Sequence, residues 1–503
     1  MGVNKVYCGH AISVLKILPD ESVDAVFTSP PYYFARDYNV EPIVWSGDAN
    51  CQHEWVNELV NIDNLRYRGK GASVGNNANK DIFTTPLQNQ QWCNGCGGWR
   101  GDLGHEPHPD MYIDHLMMVF TECMRVLKKS GSLWINIDDS HASNGRDVFD
   151  TEKYNGKNGI YCGRARNIAG VKAKSLIGIP ARLELAMIDA GWIVRNVLVW
   201  KKDNACPESM NDRFTIDYES IFFVVKNNKT LYWKNHKTLG MVDKQPLGIK
   251  GIEGDDWDWA GCRQCLGKGC PKCNNLGKKK KSNWEGRDYY FNQQFEPQKQ
   301  TSIDGYKWGF NGNKTIGIHG GMDLAKQRFY ADKMNNEPDP TRNMRAVWTI
   351  STKPLHEMHF APFPLDLVER VINVSVPEQI CDKCGLPRER VYNSAERINT
   401  KPGNDVCNEK SGTGDDPNIE LHKSDLSKYR QQIFYKETGY TDCGCENPTY
   451  HAGIILDPFG GSGTVGVQAK AMNRDYLLID SNRSYCDMAE RRIADTVSQP
   501  ALF

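Results

Sequence analysis

The sequence predicts an α/β fold in which helices flank a mainly parallel sheet and insertions interrupt the pattern. Two observations predict this fold. Apolar segments of strand length alternate with segments of helical period in both halves of the chain, which is the pattern of α/β domains. The chain also has 503 residues, which is a greater length than one hydrophobic core usually organises, and 39% of these residues are hydrophobic. We therefore expect one main sheet that carries inserted modules.

In the first half, residues 23–27 form a predicted strand that stops at Thr28-Ser29-Pro30-Pro31-Tyr32, because two prolines cannot continue the ladder. Apolar residues at helical spacing predict a helix over 113–127, and residues 133–137 follow as a buried strand. A helix at 180–190 and strands at 192–200 and 219–225 continue the alternation. The sheet therefore begins in this half.

The second half returns to the same pattern after a long polar stretch. It predicts a helix at 365–372, a strand at 453–457, a helix at 464–472, a strand at 476–480 and a helix at 484–493. We therefore predict three segments. Residues 1–226 form the first and carry a loop-rich insertion at about 40–108, and residues 227–340 form the second. Residues 341–503 form the third and carry an insertion at about 381–445. We find no internal repeat.

A glycine-rich turn links the strand at 453–457 to the helix that follows it. Glycines permit a sharp turn and close approach of a ligand, and the helix amino terminus offers N–H donors to a carboxylate. Asp480 ends the next strand, where a carboxylate can accept both hydroxyls of a ribose. We predict a nucleoside-type site made by Asp480 and by Asp457, Pro458, Phe459, Gly460, Gly461, Ser462, Gly463 and Thr464.

Seventeen cysteines indicate metal binding rather than disulfides in a chain without a secretory signal. The tightest cluster has two Cys-x-x-Cys knuckles, which suit tetrahedral zinc with a structural role. Two looser clusters combine segments that lie far apart in sequence. The predicted ligands are Cys262, Cys265, Cys270 and Cys273; Cys51, His53, Cys93 and Cys96; and Cys381, Cys384, Cys443 and Cys445.

The proline loop and the glycine loop together resemble the DNA amino-methyltransferases, whose signatures are an (Asp/Asn/Ser)-Pro-Pro-Tyr loop and a Phe-x-Gly-x-Gly loop. The proline loop comes first here, by more than 400 residues, which resembles the beta arrangement of bacterial or phage enzymes. The resemblance implies S-adenosylmethionine as cofactor, a circularly permuted Rossmann-like sheet and target recognition by 227–340. It also places His359, Phe363 and Pro364 beside the cofactor.

The chemistry of the proline loop fits that resemblance. An exocyclic amine conjugated to a ring is a poor nucleophile until acceptors hold its hydrogens, and the Ser29 hydroxyl oxygen and the Pro30 carbonyl are candidate acceptors. Pro31 stiffens the loop, and Tyr32 offers a face on which a flipped base can stack. Serine at the first position is commonest among cytosine N4 enzymes of this family, so N4 is favoured over adenine N6.

Other functions stay open at this point. The same sheet serves RNA methyltransferases and protein glutamine methyltransferases, although the protein enzymes carry Asn-Pro-Pro-Tyr after the cofactor loop. A zinc-bearing DNA-binding protein without activity is a further alternative. The run Lys278–Lys281 either contacts phosphates or forms a solvated loop.

Composition adds few constraints on partners. Lysine plus arginine equals aspartate plus glutamate, at 62 each, so double-stranded DNA is expected from the resemblance and not from bulk charge. No apolar run is long enough to cross a bilayer, and the first residues lack the features of a secretory signal. We expect a cytoplasmic protein without a membrane role. A cognate restriction endonuclease is a further expected partner, while the sequence leaves the oligomeric state open.

Overall fold

The structure is a computed structural model that describes residues 2–34, 40–48, 50–56, 91–142, 171–205, 211–244, 246, 252–261, 274, 276, 278–297, 341–352, 363–393, 397–400, 430–433 and 436–498. Its strands, in chain order, are β1 (Lys5–Cys8), β2 (Val23–Thr28), β3 (Ile43–Trp45), β4 (Trp55–Val56), β5 (Gln91–Cys93), β6 (Trp99–Gly101), β7 (Leu127–Ile137), β8 (Ile193–Lys201), β9 (Tyr218–Val225), β10 (Tyr232–Asn235), β11 (Met241–Val242), β12 (Trp257–Gly261), β13 (Lys278–Ser282), β14 (Trp284–Arg287), β15 (Phe295–Pro297), β16 (Thr341–Asn343), β17 (Val347–Thr349), β18 (Ile380–Cys381), β19 (Arg390–Asn393), β20 (Arg397–Thr400), β21 (Arg430–Ile433), β22 (Lys436–Tyr440), β23 (Tyr450–His451), β24 (Ile454–Asp457) and β25 (Asp475–Asp480).

Eight strands form the main sheet, in the order β1-β25-β24-β2-β7-β9-β8-β17. Five of the seven pairings are parallel, and β9 runs antiparallel to both of its neighbours. This confirms the predicted mixture of helices with a mainly parallel sheet. At its centre, β2 from the start of the chain pairs with β24 near its end, with Ala25 opposite Ile455.

Helices cover the sheet. They are α1 (Ala11–Ile17), α2 (Pro109–Val126), α3 (Ile179–Asp189), α4 (Leu365–Ser375), α5 (Thr464–Ala471) and α6 (Arg483–Ala494). Helix α2 begins with Pro109 in its first turn, where the missing N–H costs nothing, and the His108 ring accepts from the Asp110 amide. Leu116 and Phe120, on the apolar face of this helix, are fully buried. Helical period thus marks the face that the sheet covers.

The insertion at 40–108, predicted as loop-rich, has regular structure in its described part. Strands β3, β6, β5 and β4 form an antiparallel sheet in that order. Trp45 and Trp99 stack on the His115 ring of α2, with centroid distances of 4.9 Å and 5.4 Å. These stacks attach the small sheet, β3 to β6, to the main domain.

A hairpin lies in the predicted module 227–340. Strands β12 and β13 pair antiparallel, so the run Lys278–Lys281 belongs to an exposed strand and not to a loop. Lys278 lies over the Trp259 ring and Lys280 over the Trp257 ring, with 4.5 Å and 3.9 Å from Nζ to centroid.

Contacts divide the chain into two compact units. The first comprises Met1–Asn292, Ala346–Arg388 and Asp442–Phe503, and the second comprises Gln293–Arg345 and Glu389–Thr441. The main sheet lies in the first unit. The boundaries predicted at 226/227 and 340/341 stay a prediction. Among the helices of the described segments, none combines the length and apolar character needed to span a bilayer.

Candidate active site and metal clusters

A pocket lies where β1, β2, β24 and β25 end. Because neighbouring parallel strands end at the same edge of a sheet, the loops that follow them meet there. The proline loop contributes Ser29 and Pro31, and the glycine loop contributes its residues from Pro458 to Ser462. Asp480 and Phe363 complete this wall. The structure thus brings the two predicted loops to one cavity.

The glycine loop packs closely against the strand and helix that follow it. A Cβ placed on Gly460 would lie 3.1 Å from the Leu478 Cβ, and one on Gly463 would lie 2.6 Å from the Ala489 Cβ. Gly463 also has a φ of 79°, a conformation that favours glycine. Asp480 accepts the Gly461 and Asn482 amides, each at 2.8 Å. These bonds leave lone pairs on both carboxylate oxygens, which fits a ribose.

Asp457 joins the two loops instead of pointing freely into the pocket. It is 1% exposed. The Thr28 hydroxyl, immediately before Ser29, donates to its Oδ1 at 2.6 Å, and the Phe459 amide donates at 3.0 Å. Burial raises the pKa of Asp457 to about 7. Sequence reasoning missed the part of Thr28, whose partner lies 429 residues away.

Tyr32 lies in a polar network below the pocket. Its hydroxyl donates to Glu219 Oε2 at 2.5 Å and accepts from Asn136 Nδ2 at 2.8 Å and from the Ser29 hydroxyl at 3.1 Å. Asn136 also donates to Glu219 Oε2, at 2.7 Å, and Lys202 pairs with Glu219 Oε1. Burial, followed by the nearby Glu219 charge, raises the pKa of Tyr32 well above its ordinary value.

The prolines hold the loop rigidly. Pro30 is buried, and the Pro31 carbonyl accepts from the Tyr112 hydroxyl at 2.7 Å. Phe363 lies against the same strand end, with its ring 4.9 Å from that of Phe27, and Pro364 caps α4. The predicted pocket residue His359 lies outside the described residues.

The small sheet supplies the opposite wall of the pocket, through Ile43 and Trp45 of β3 and through Gly101 and the loop after β6. His10 meets Trp45 edge-on at 5.0 Å, and burial lowers the pKa of this histidine to about 4. Beneath this wall, buried Glu106 holds His115 through an Oε1–Nδ1 contact of 2.9 Å. Nothing in the sequence pattern had indicated this wall.

Four predicted ligands meet at the far end of the small sheet. The ligand atoms of Cys51, His53, Cys93 and Cys96 all lie within 4.8 Å of one another. The Cys51 and Cys93 sulfurs are 3.6 Å apart, and the Cys96 sulfur is 3.5 Å from His53 Nδ1. Zinc bond lengths give tetrahedral edges of about 3.8 Å between sulfurs and about 3.6 Å from sulfur to nitrogen. The Cys96 amide lowers the pKa of the Cys93 thiol to about 6, which favours a thiolate ligand.

The third predicted cluster also assembles. The sulfurs of Cys381, Cys384, Cys443 and Cys445 all lie within 4.8 Å of one another. The Cys384 amide, as the largest influence, lowers the pKa of Cys381 to about 7. Both clusters fit zinc by donor type and spacing. The tight cluster Cys262, Cys265, Cys270 and Cys273 lies outside the described residues, between β12 and β13.

The chain is similar to known DNA methyltransferases. Residues 23–381 and 446–491 match the model of the N6/N4 methyltransferase family, described as DNA methylase. Type II methyltransferase M.Cfr9I of Citrobacter freundii is 23% identical over 485 residues, 96% of this chain and 86% of that protein. Type II methyltransferase M.SmaI of Serratia marcescens is 30% identical over 234 residues, 46% of this chain and 60% of that protein. The structure of the cytosine-N4-specific PvuII DNA methyltransferase aligns with 98% of this chain and 87% of that chain, at 11% identity and a TM-score of 0.38.

Proposed function

The chain belongs to the DNA methylase family, and from this premise we propose that it methylates N4 of cytosine in double-stranded DNA, with S-adenosylmethionine as donor. It is a DNA amino-methyltransferase by this membership. The observation that carries the proposal is the shared pocket, in which Ser29 and the glycine loop line one cavity. A donor held by the glycine loop and an amine held by Ser29 would then be neighbours, and transfer depends chiefly on such positioning.

The residues of this chain prepare the amine. Bound S-adenosylmethionine would supply an electrophilic methyl group. The Ser29 hydroxyl oxygen and the Pro30 carbonyl would accept the two amine hydrogens, which would free the nitrogen lone pair. Asp480 would hold the ribose hydroxyls, and Phe363, which lines the same pocket, would contact the cofactor. Tyr32, fixed by its hydroxyl, offers a rigid face for a flipped base.

The choice of cytosine rests on Ser29. In the family, serine before Pro-Pro-Tyr accompanies N4 enzymes more often than N6 enzymes, so adenine N6 is the alternative. The order of the main sheet, in which the glycine-loop strand β24 comes more than 400 residues after β2 and pairs beside it, supports a circularly permuted Rossmann-like sheet.

We further propose that structural zinc occupies the three cysteine clusters. Four protein donors close each shell, so no position remains to activate a water. The exposed lysines of the β12–β13 hairpin would contact DNA phosphates. The module 227–340 would then read the target sequence. The relatives named Type II methyltransferases support a cognate restriction endonuclease as partner.

Nucleoside mass spectrometry tests the function. Unmethylated plasmid DNA is incubated with the purified protein and S-adenosylmethionine carrying a deuterated methyl group, then digested to nucleosides. We expect labelled N4-methylcytosine, and none with the variant Ser29→Ala, which keeps the cofactor wall intact. If labelled N6-methyladenine forms instead, the target is adenine N6 and not cytosine N4. If neither modified base forms on DNA from several sources, the proposed function is wrong.

A further inference from the structure

We propose that Glu219 is a positioning residue that sets the direction of the hydrogen bonds at the active site and so makes Ser29 an obligatory acceptor. The inference rests on the proposed function. Glu219 lies on β9, two strands away from the proline loop, and its side chain is 9% exposed. It does not line the pocket. Its influence would pass through Tyr32.

The direction follows from counting hydrogens. An ionised carboxylate can only accept, so the contact of 2.5 Å between Tyr32 Oη and Glu219 Oε2 takes the Tyr32 proton. The high pKa of Tyr32 keeps that proton in place. Lys202, which pairs with the other oxygen, Oε1, compensates the charge of Glu219. The Tyr32 oxygen is therefore left with lone pairs alone.

Those lone pairs determine what Ser29 can do. Asn136 Nδ2 donates to the Tyr32 oxygen at 2.8 Å, and the Ser29 hydroxyl donates to it at 3.1 Å. A serine hydroxyl has one hydrogen and two lone pairs. Because that hydrogen points at Tyr32, the lone pairs of Ser29 remain for the pocket, which Ser29 lines.

An acceptor that cannot donate discriminates between bases. The exocyclic amines of cytosine and adenine carry hydrogens that they can donate to Ser29. The keto oxygens of thymine and guanine carry only lone pairs, so they would face the lone pairs of Ser29 without a hydrogen between them. The chain Lys202–Glu219–Tyr32–Ser29 would thus both hold the amine hydrogens and exclude keto groups. Accepting the Tyr32 proton is thus a physical reason for a charged residue, Glu219, in a strand that is otherwise largely apolar.

A double-mutant cycle tests the inference. Tyr32→Phe keeps the stacking ring and removes the hydroxyl. In Glu219→Gln, Lys202 attracts the amide oxygen and turns the amide hydrogens toward Tyr32, which would then donate to Ser29. We expect each variant to lower kcat about 10- to 100-fold, the effect of one misdirected charged hydrogen bond. KM for DNA and the calorimetric affinity for S-adenosylmethionine should stay within about twofold, since neither variant touches the cofactor wall.

The double variant is the decisive measurement. If Glu219 acts through Tyr32, then Tyr32→Phe with Glu219→Gln is no slower than Tyr32→Phe alone. Losses that multiply, or a Glu219→Gln variant with the wild-type kcat, would overturn the inference. Glu122→Gln, at a half-buried position of α2 that does not line the pocket, is the matched control and should behave as the wild type. Melting temperatures of all variants identify a loss of folding, and a wild-type protein without activity would contradict the proposed function instead.

Discussion

Replacing Asp480 by alanine should weaken cofactor binding by a calculable amount. Asp480 accepts the amides of Gly461 and Asn482 and lines the pocket. A bond to a charged acceptor contributes about 1.5–3 kcal/mol. The alanine variant loses two bonds to ribose hydroxyls. Part of this loss is offset because the variant no longer buries a carboxylate, whose pKa burial already raises. The net loss of binding free energy is about 2–4 kcal/mol, or roughly 30- to 1000-fold in Kd.

Isothermal titration calorimetry with S-adenosylmethionine, and with S-adenosylhomocysteine as an unreactive ligand, measures this loss. Asp475→Asn is the matched control, because Asp475 begins the same strand and bonds to Asn4, away from the pocket. Asp480→Asn should fall between alanine and the wild type, since it keeps one acceptor oxygen. An alanine variant whose Kd stays within about threefold of the wild type would remove Asp480 from the cofactor site.

Three further predictions concern metal, pH and DNA. Cys93→Ser should lose one zinc ion by native mass spectrometry and should also weaken cofactor binding, because β3 and β6 line the pocket. Cys443→Ser should lose zinc and keep its cofactor affinity. Equal cofactor affinities of the two variants would refute the link between the first cluster and the pocket. Asp457, with a pKa raised to about 7 in the folded protein, stabilises the fold below about pH 4 and loses that stabilisation as pH rises through 7. Denaturation at pH values from 4 to 7 should show the wild type losing roughly 3 kcal/mol relative to Asp457→Asn, and parallel pH profiles would contradict this. Lys279→Ala with Lys281→Ala should reduce the salt dependence of DNA binding by about 0.9 per phosphate contact, and an unchanged slope would place the hairpin away from DNA.

Local pattern predicted six of the eight strands of the main sheet, because these strands and the helices between them bury apolar faces; β1, β17 and helix α1 were not predicted. The prediction began β7 at 133 whereas the strand begins at Leu127, since the polar stretch after Leu127 hides the ladder. The small sheet escaped prediction altogether. Its strands have two or three residues, too few for any period, and their order depends on stacking with α2 and on the cysteine cluster.

The residues of the candidate site also differ in whether a local sequence pattern marks them. Ser29 and Asp480 stand in loops with a local signature and could be identified from the sequence. Glu219 could not, since its partner Tyr32 lies 187 residues away and only a charge within an apolar strand marks it. Residues that act through a neighbour leave a weaker trace in sequence than residues that face the pocket.

The pairing of β2 with β24 has a consequence for how the molecule is made. Ala25 leaves the ribosome early, and its partner Ile455 is 430 residues behind it, which at about 5–20 residues per second corresponds to roughly 20 to 90 seconds. During that interval β2 and the proline loop have no neighbour on the β24 side, and a central apolar strand edge is open to wrong pairing. Closing so distant a contact also slows folding. The nascent chain should therefore depend on chaperones until β24 and β25 emerge, and it becomes able to bind cofactor only after these strands have been made.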